Sequence, residues 1–367
     1  MSKRSQHPDL SRRDFLRLTG VMAAGLLVNG CQPEQAMPSA TQPSANKPAV
    51  AISQARTYDR VAIERQVQEL IDQLGGLGDV VKPGDTVAIK PNLTGGTSSQ
   101  RVPGVRPEDS FVTHPEVVRA LVKQVKAAGA KEIFIVESVY EWASYTEWGY
   151  EALASDLGVK LIDLNEAKPF SDFKEKLVGA DHFIYDSFIF NQILSDVDVF
   201  MSVSKMKNHY LAGVTHTMKN LYGLVPYRFY RLNNNDRYRS GFHGTETQTK
   251  ARLPRIIVDI NRARPIHFSL IDGIKTTQGG EGPWVESVKP IEPGLLIAGK
   301  NPVATDAVAT AVMGHDPMGD YPDSPFVRCD NHLNLAMQVG LGTNRLDEIE
   351  VLGMQIKEVM TQFVPAP

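Results

Sequence analysis

From residue 86 onward, short β-branched runs alternate with longer stretches in which apolar residues recur every three or four positions. The short runs predict buried strands, and the longer pattern predicts helices with one apolar face. The predicted strands are residues 86–90, 132–136, 159–164, 197–203, 267–271 and 295–298, and predicted helices include 150–157, 253–262 and 302–313. We therefore predict an α/β fold, a mostly parallel open sheet with crossover helices on both faces, similar to Rossmann-like folds.

The region between the first two predicted strands reads as one complete βαβ unit. Thr113 precedes a proline at position 115, so we expect Thr113 to be the N-cap of a helix. Gly129 ends this helix, and the second strand follows. The helix has one apolar face, formed by Val117, Val118, Leu121, Val122 and Val125.

Polar residues gather at the carboxyl ends of four predicted strands, at positions 90–92, 137–138, 204–209 and 272–273. Open α/β sheets bind ligands in the crevice outside these ends, so we expect such residues to share one cleft. The residues predicted to converge are Lys90, Asn92, His114, Glu137, Lys205, His209, Lys219, Asn220 and Asp272.

Residues 204–223 hold three lysines, two histidines and two asparagines, which is unusual for solvated surface. The pattern favours an anion site, with charge from Lys205, Lys207 and Lys219 and directional hydrogen bonds from Asn220 and helix N–H groups. A metal held by the two histidines is an alternative, although neighbouring lysines repel a cation, and we assign no metal ligands. Solvated lysines with core histidines are the third interpretation.

Three further positions could carry chemistry. Lys90 should be partly buried and paired with Glu137, a pair that is either catalytic or structural. The glycine-rich loop 279–283 could approach a ligand through Gly280 and Glu281, or be a plain surface loop, and it matches no nucleotide-binding fingerprint. Asp306, in the first turn of a predicted helix, could favour the helix dipole, pair with a lysine or act as a base.

Composition narrows the function classes. A formal net charge of -3 shows no bias toward polyanions, so we expect no nucleic-acid partner. The only two cysteines, Cys31 and Cys329, exclude a protein-held iron–sulfur cluster with four cysteine ligands and a cysteine-based structural zinc site. A cofactor would need other contacts, and its identity stays open.

The N-terminal residues read as an export signal. Arg12 and Arg13 precede an apolar stretch that is too short for a membrane span, which predicts a twin-arginine signal over residues 1–31 and the translocase as a partner. Residues 27–31 resemble a lipoprotein cleavage box, so Cys31 should carry a lipid, with simple cleavage nearby as the alternative. We expect a disordered linker at 32–54 and one large domain at 55–367, held at the cell envelope or in the periplasm.

Motifs spread over residues 86–306 resemble the domain of unknown function 362 family. They are residues 89–92, 113–118, 129–131, 136–137, 205–209, 215–223, 272–273 and 301–306. The family has no general assigned activity, so the resemblance implies no reaction. Many members are exported or fused to ferredoxin-type modules, and this chain lacks the cysteine-rich module. The resemblance therefore leaves a separate redox protein open as a partner.

The leading hypothesis is an enzyme that binds a small anionic substrate at the strand ends. His114 or His209 would be the general acid or base, with Lys90, Glu137 and Asp306 as further catalytic candidates. The candidate substrate-binding residues are Asn92, Lys205, Lys207, Thr217, Lys219, Asn220, Asp272, Gly280 and Glu281. One alternative is a lipoprotein without catalytic activity, which binds a ligand at the strand ends or a protein partner through an aromatic patch at 227–230. Another alternative is an accessory redox subunit.

Overall fold

The computed structural model describes residues 47–98, 102–236 and 238–367. The strands are β1 Ala49–Gln54, β2 Thr86–Lys90, β3 Glu132–Glu137, β4 Lys160–Asp163, β5 Phe173–Leu177, β6 Ser187–Asn191, β7 Val199–His209, β8 Gly213–Val214, β9 Phe268–Gln278, β10 Lys289–Ile291, β11 Leu295–Gly299 and β12 Glu350–Gly353. The helices are α1 Arg60–Gln73, α2 Pro115–Ala127, α3 Ala143–Glu147, α4 Tyr150–Leu157, α5 Ile193–Asp196, α6 His216–Asn220, α7 Ser240–His243, α8 Glu246–Ala263, α9 Pro302–Val312, α10 His332–Gln338 and α11 Ile356–Val359. Short 3-10 turns occur at Pro107–Asp109, Leu221–Leu224, Tyr227–Phe229 and Leu346–Glu348.

One large sheet organises the fold, with the strand order β12-β1-β11-β9-β7-β2-β3-β4. The run from β9 through β7, β2 and β3 to β4 is parallel throughout, and β11 is antiparallel to both of its neighbours. Two short strands, β8 and β10, pair with β7 and β9, and β5 and β6 form a separate small sheet. The predicted α/β class with a mostly parallel sheet is confirmed.

Helices cover both faces of this sheet because alternate strand residues point to opposite sides. In β2, Val87 and Ile89 pack with the apolar faces of α1, α2 and α4. The intervening Ala88 packs with α8 and α9 on the other side. A hydrophobic core therefore lies on each face of the sheet. Each fully buried aliphatic side chain stabilises the fold by roughly 1.5–3 kcal/mol, so the two cores together fix the positions of the strands.

Several element boundaries differ from the predictions. Strand β7 continues to His209, so the polar residues 204–209 lie within a strand instead of following it. Helix α8 begins at Glu246, because Thr245 and Gln248 form a capping box ahead of the predicted start. The N-cap of α2 is His114, whose ring accepts from the N–H of Glu116. The hydroxyl of Thr113 instead accepts from the N–H of Asn92, which follows β2, and donates to the carbonyl of Val203 within β7.

The C-terminal end of the predicted linker forms a strand. Ala49–Gln54, assigned to the linker 32–54, is strand β1 and lies between β12 and β11, because its buried apolar residues complete the sheet. The predicted signal 1–31 and Cys31 lie outside the described residues. Within the described ranges, no helix has the length and apolar character needed to cross a membrane.

Candidate active site

A cavity of about 460 Å3 opens where β2, β3 and β7 end. It is lined by the last residues of all three strands, together with residues of α6 and of the loops that follow β2 and β9. This is the edge at which open parallel sheets bind ligands. The predicted strand-end location therefore holds a cavity of the size that small molecules occupy, on the order of 300–1,000 Å3.

A buried ion pair forms one wall of the cavity. The ammonium of Lys90 lies 2.8 Å from Glu137 Oε2, and both side chains are almost completely buried. The pair forms because β2 and β3 are parallel neighbours with Ile89 opposite Ile135, which brings their last residues together. Burial lowers the pKa of Lys90, and the Glu137 carboxylate opposes that shift. The predicted pairing of Lys90 with Glu137 is confirmed.

Asn220 locks this wall to helix α6. Its side-chain oxygen accepts from Lys90 at 3.1 Å and from Asn92 at 3.0 Å. Its amide donates to the carbonyl of Lys90 and the hydroxyl of Ser202. Because these bonds use the whole amide, Asn220 holds the wall together, and its role as a substrate ligand stays a prediction.

A glycine lets the chain pass close to the ion pair. Gly223 lies so near that an added Cβ would sit 2.8 Å from Lys90 Nζ and would also clash with the Glu137 carboxylate. Its carbonyl accepts from the N–H of Ser138 at 3.1 Å, which ties the turn after α6 to the end of β3. Any larger residue at this position would push the two apart.

Three cations in the cavity wall have no carboxylate within 4.0 Å among the described residues: Lys207, Lys219 and Arg239. Lys207 is 1% exposed and donates to the carbonyl of Phe111 at 2.6 Å. Arg239 bonds the carbonyls of Val225 and Ser138. The Lys219 ammonium lies 4.8 Å from the centre of the Tyr222 ring.

The environment shifts the pKa of both lysines. Burial, followed by repulsion from Lys219, lowers the pKa of Lys207 well below its usual range. Burial also lowers the pKa of Lys219 to about 8. Each amine would regain a stable charge if an anion entered the cavity, because an opposite charge favours the protonated form.

His209 presents a hydrogen-bond donor to the cavity. Its Nδ1 accepts from the N–H of Leu211 at 3.1 Å, so the neutral ring carries its proton on Nε2. Burial and nearby cations hold the pKa of His209 well below its usual range, which keeps the ring neutral. Glu281, 3.9 Å away, accepts from the N–H of Tyr210 and the indole of Trp284.

Three buried polar atoms around the cavity have no hydrogen-bond partner within the described protein: Asn92 Oδ1, Thr215 Oγ1 and His243 Nδ1. The other nitrogen of His243 lies 3.0 Å from the hydroxyl of Tyr222, which donates to the carbonyl of Arg239. Unpaired buried polar atoms are costly, so these three atoms could bind polar groups of a ligand in the cavity.

A second polar cluster lies apart from the cavity lining and corrects the single-cleft prediction for His114, Lys205 and Asp272. Lys205 pairs with Asp272 at 2.8 Å, and both are fully buried. The hydroxyl of Tyr58 donates to Asp272 at 2.9 Å and accepts from Lys205 at 3.0 Å. The His114 ring stacks on Tyr58 with 3.7 Å between centroids, and burial lowers its pKa to about 4.

Asp306 caps the helix that carries Lys219 and Asn220. Its carboxylate accepts from the N–H groups of Thr217 and Met218, both at 2.9 Å, and from the Thr217 hydroxyl. Burial raises the pKa of Asp306 to about 7. Neither Asp306 nor Thr217 is among the residues that line the cavity. Of the roles that the sequence left open for Asp306, these contacts support a favourable interaction with a helix N-terminus, and they hold Thr217 in the same cap.

The structure also bears on the predicted histidine pair, the glycine-rich loop and the aromatic patch. His209 ends strand β7 and His216 begins α6, so the two rings do not share a helix face, and no metal-binding group of three ligands occurs in the described ranges. Glu281 lines the cavity, but Gly280 does not, and its φ of 156° turns the loop. In the predicted aromatic patch, Tyr230 is buried in the core.

Sequence reasoning missed the residues that loops bring to the cavity. Arg239 and His243 come from the segment before and within α7, and Trp284 comes from the loop after β9. Neither segment has strand or helix periodicity. The one available signal was charge and aromaticity in a glycine-rich or irregular stretch, which also fits an ordinary surface loop.

A family model described as a domain of unknown function (DUF362) matches residues 87–311. A thylakoid-associated protein of Synechocystis sp. is 27% identical over 271 residues, which are 73% of this chain and 75% of that protein. The lactate racemase apoprotein of Thermoanaerobacterium thermosaccharolyticum aligns with a TM-score of 0.37 at 13% identity, over 67% of this chain and 54% of that one. A protein of Thermotoga maritima aligns with a TM-score of 0.35 at 12% identity, over 78% of this chain and 60% of that one.

Proposed function

The chain belongs to the DUF362 family, and from that premise we propose that it is an enzyme acting on a small organic anion held in the central cavity. One observation carries the proposal: Lys207, Lys219 and Arg239 face the cavity without a carboxylate partner in the described protein. Buried cations are ordinarily paired, because an unpaired buried charge costs free energy. An anionic group on the ligand would supply the missing partner.

Binding should be linked to proton uptake. The pKa values of Lys207 and Lys219 are lowered in the free protein, and a bound anion would raise them again. The Nε2–H of His209 would add a neutral donor. The anion would thus meet both charge and directional hydrogen bonds on one wall.

Lys219 is the best placed acid or base in this site. With a pKa of about 8, it can give and take a proton near neutral pH, whereas the pKa of His209 is too low for it to be charged there. His114 lies outside the cavity lining. The proposal therefore moves the acid–base role from the two histidines to Lys219.

Calorimetry on the purified full chain tests the binding step, with acetate, pyruvate, benzoate and phosphate as probes. We expect Lys207→Met and Lys219→Met each to weaken binding about tenfold or more, because each removes one unpaired cation. Lys176→Met is the matched control, because Lys176 is an exposed lysine on β5. Unchanged affinity in the Lys207→Met, Lys219→Met double variant, or no binding of any probe, would refute the site.

The catalytic step is tested by incubating the chain with a metabolite extract and following conversions by mass spectrometry. We expect at least one anionic compound to be consumed by the wild-type chain and spared by Lys219→Met. Equal consumption by both proteins would remove Lys219 from the mechanism. Binding without any conversion would leave a ligand-binding protein and contradict the enzyme proposal.

We also propose that the chain is exported by the twin-arginine translocase and anchored through a lipid on Cys31. The arginine pair, the apolar stretch and the cysteine occur in the order that such signals require. Cell fractionation with lipid labelling checks this. Arg12→Lys with Arg13→Lys should retain the chain in the cytoplasm, and Cys31→Ala should abolish the label. Export that survives the double substitution would contradict the route.

A further inference from the structure

The mouth of the cavity differs chemically from its floor. Only three of the lining residues are exposed by more than a third, and all three are aromatic: Tyr140 at 38%, Tyr238 at 45% and Trp284 at 48%. The cations Lys207 and Arg239 are at most 4% exposed and lie at the floor. A ligand that enters therefore meets rings first and charge afterwards.

The three rings come from separate parts of the chain. Tyr140 follows β3, Tyr238 precedes α7, and Trp284 lies in the loop between β9 and β10. No two of them pack against each other in the described structure, so their faces are not used up by mutual stacking. Large apolar rings left partly in water at one cavity entrance are typical of a binding surface.

The indole of Trp284 is fixed in place before any ligand arrives. Its N–H donates to Glu281 at 2.7 Å, and its ring lies edge-on to Phe111 with 5.8 Å between centroids. The ring also rests on Gly282, where an added Cβ would come within 2.5 Å of it. A ring held this way loses little freedom on binding, which favours affinity.

We infer that the ligand carries a flat conjugated ring as well as its anionic group, and that Trp284, Tyr238 and Tyr140 hold the ring at the cavity mouth. This inference rests on the proposed function, since it names the class of anion that the same cavity takes. Two aromatic rings attract each other through offset or edge contacts, in addition to the apolar area that they bury. Such contacts are worth about threefold to tenfold in affinity beyond burial alone.

The cavity has room for this arrangement. A volume of about 460 Å3 accommodates a one-ring or two-ring acid with its charged group at the floor. Glu281 helps the geometry, because it fixes Trp284 on one side and lies 3.9 Å from His209 on the other. The floor and the mouth are therefore parts of one site.

Calorimetry with three matched carboxylates tests the inference on the full chain. Benzoate carries a flat ring, cyclohexanecarboxylate carries an aliphatic ring of similar size, and acetate carries neither. We expect benzoate to bind at least threefold more tightly than cyclohexanecarboxylate and about tenfold more tightly than acetate. Trp284→Leu should remove the preference for benzoate, because leucine keeps apolar bulk but no π face.

Two further variants keep the result interpretable. Tyr238→Leu removes a mouth ring without touching the bond to Glu281, and it should also reduce the preference. Phe229→Leu is the control, because Phe229 is a 43% exposed ring that does not line the cavity, and it should leave the preference unchanged. Thermal melts should show all three variants folded.

The outcomes separate this inference from the proposed function. Equal affinity for benzoate and cyclohexanecarboxylate, or a preference that survives both mouth variants, overturns the ring inference. The proposed function would still stand in that case if Lys207→Met weakens the binding of every anion. Tighter binding of glucuronate than of benzoate would also overturn it, since rings then serve a sugar. If no anion binds and the lysine variants change nothing, the proposed function itself fails.

Discussion

Lys205 and Lys207 stand two residues apart on β7 and are both buried, yet their surroundings differ completely. Lys205 belongs to a closed cluster with Asp272 and Tyr58, in which every charge has a partner. Lys207 has a carbonyl partner and faces the cavity. Burial is the same for both, so pairing, and not burial, separates a structural lysine from a candidate functional one.

The same substitution should therefore change stability by very different amounts at the two lysines. Lys205→Met would leave Asp272 buried without its cation, so we expect the free energy of unfolding to fall by about 3–5 kcal/mol. Lys207→Met removes a buried amine that has no carboxylate partner and also removes its hydrogen bond to the carbonyl of Phe111, so the two effects offset and stability should change by about 1 kcal/mol or less. Urea denaturation of both variants measures the difference.

Comparable losses in the two variants would break the contrast between the clusters. A double variant, Lys205→Met with Asp272→Leu, serves as the control because it removes both charges together. It should recover much of the lost stability, since a buried pair contributes far less than the penalty for half of one.

Two tyrosines allow the closed cluster around Lys205 and the cavity to be compared through a smaller change, the loss of one hydroxyl. Tyr58→Phe removes a hydroxyl that bridges Asp272 and Lys205, so it should cost about 2 kcal/mol, as expected for a hydrogen bond to a charged group. Tyr140→Phe removes a hydroxyl that has no hydrogen-bond partner in the described ranges and should cost nothing measurable. Thermal unfolding of the two variants under one condition decides between them.

The smallest expected effect is on the pH dependence of anion binding. Lys219 has a pKa of about 8, below its unfolded value, so its charge is present below that pH and lost above it. Affinity for an anion should therefore fall about tenfold, or about 1.4 kcal/mol, between pH 7 and pH 9. Lys219→Arg keeps its charge across this window and should flatten the profile measured by calorimetry. A wild-type profile that stays flat would show that Lys219 does not sense the ligand.

Much of the fold could be predicted, because strand and helix periodicities are local properties of the sequence. Residues 86–90 and 150–157 match the observed β2 and α4. The Lys90–Glu137 pair also follows from sequence, since a lysine behind three apolar strand residues needs a partner at the next strand end. These inferences require only neighbours along the chain or one adjacent strand.

The division between Lys205 and Lys207 could not be predicted, because it depends on the register between β7 and β9. Lys205 lies opposite Asp272, and an irregularity then shifts the register so that Lys207 lies opposite Thr277. Nothing in the alternation of residues 204–209 shows where that shift falls. Cavity residues such as Arg239 and Trp284 were missed for a related reason, since long-range packing places the loops that carry them.

The Asp306 cap ties the position of Lys219 to a remote part of the chain. Helix α6 has five residues, which is too short to be stable alone in water, so its place is set by what holds its ends. The carboxylate that holds its first turn comes from α9, 89 residues further along the chain. Substitutions in the core under α9 can therefore shift Lys219 while every residue that lines the cavity stays the same, so evolution or protein engineering could alter the cavity from outside it.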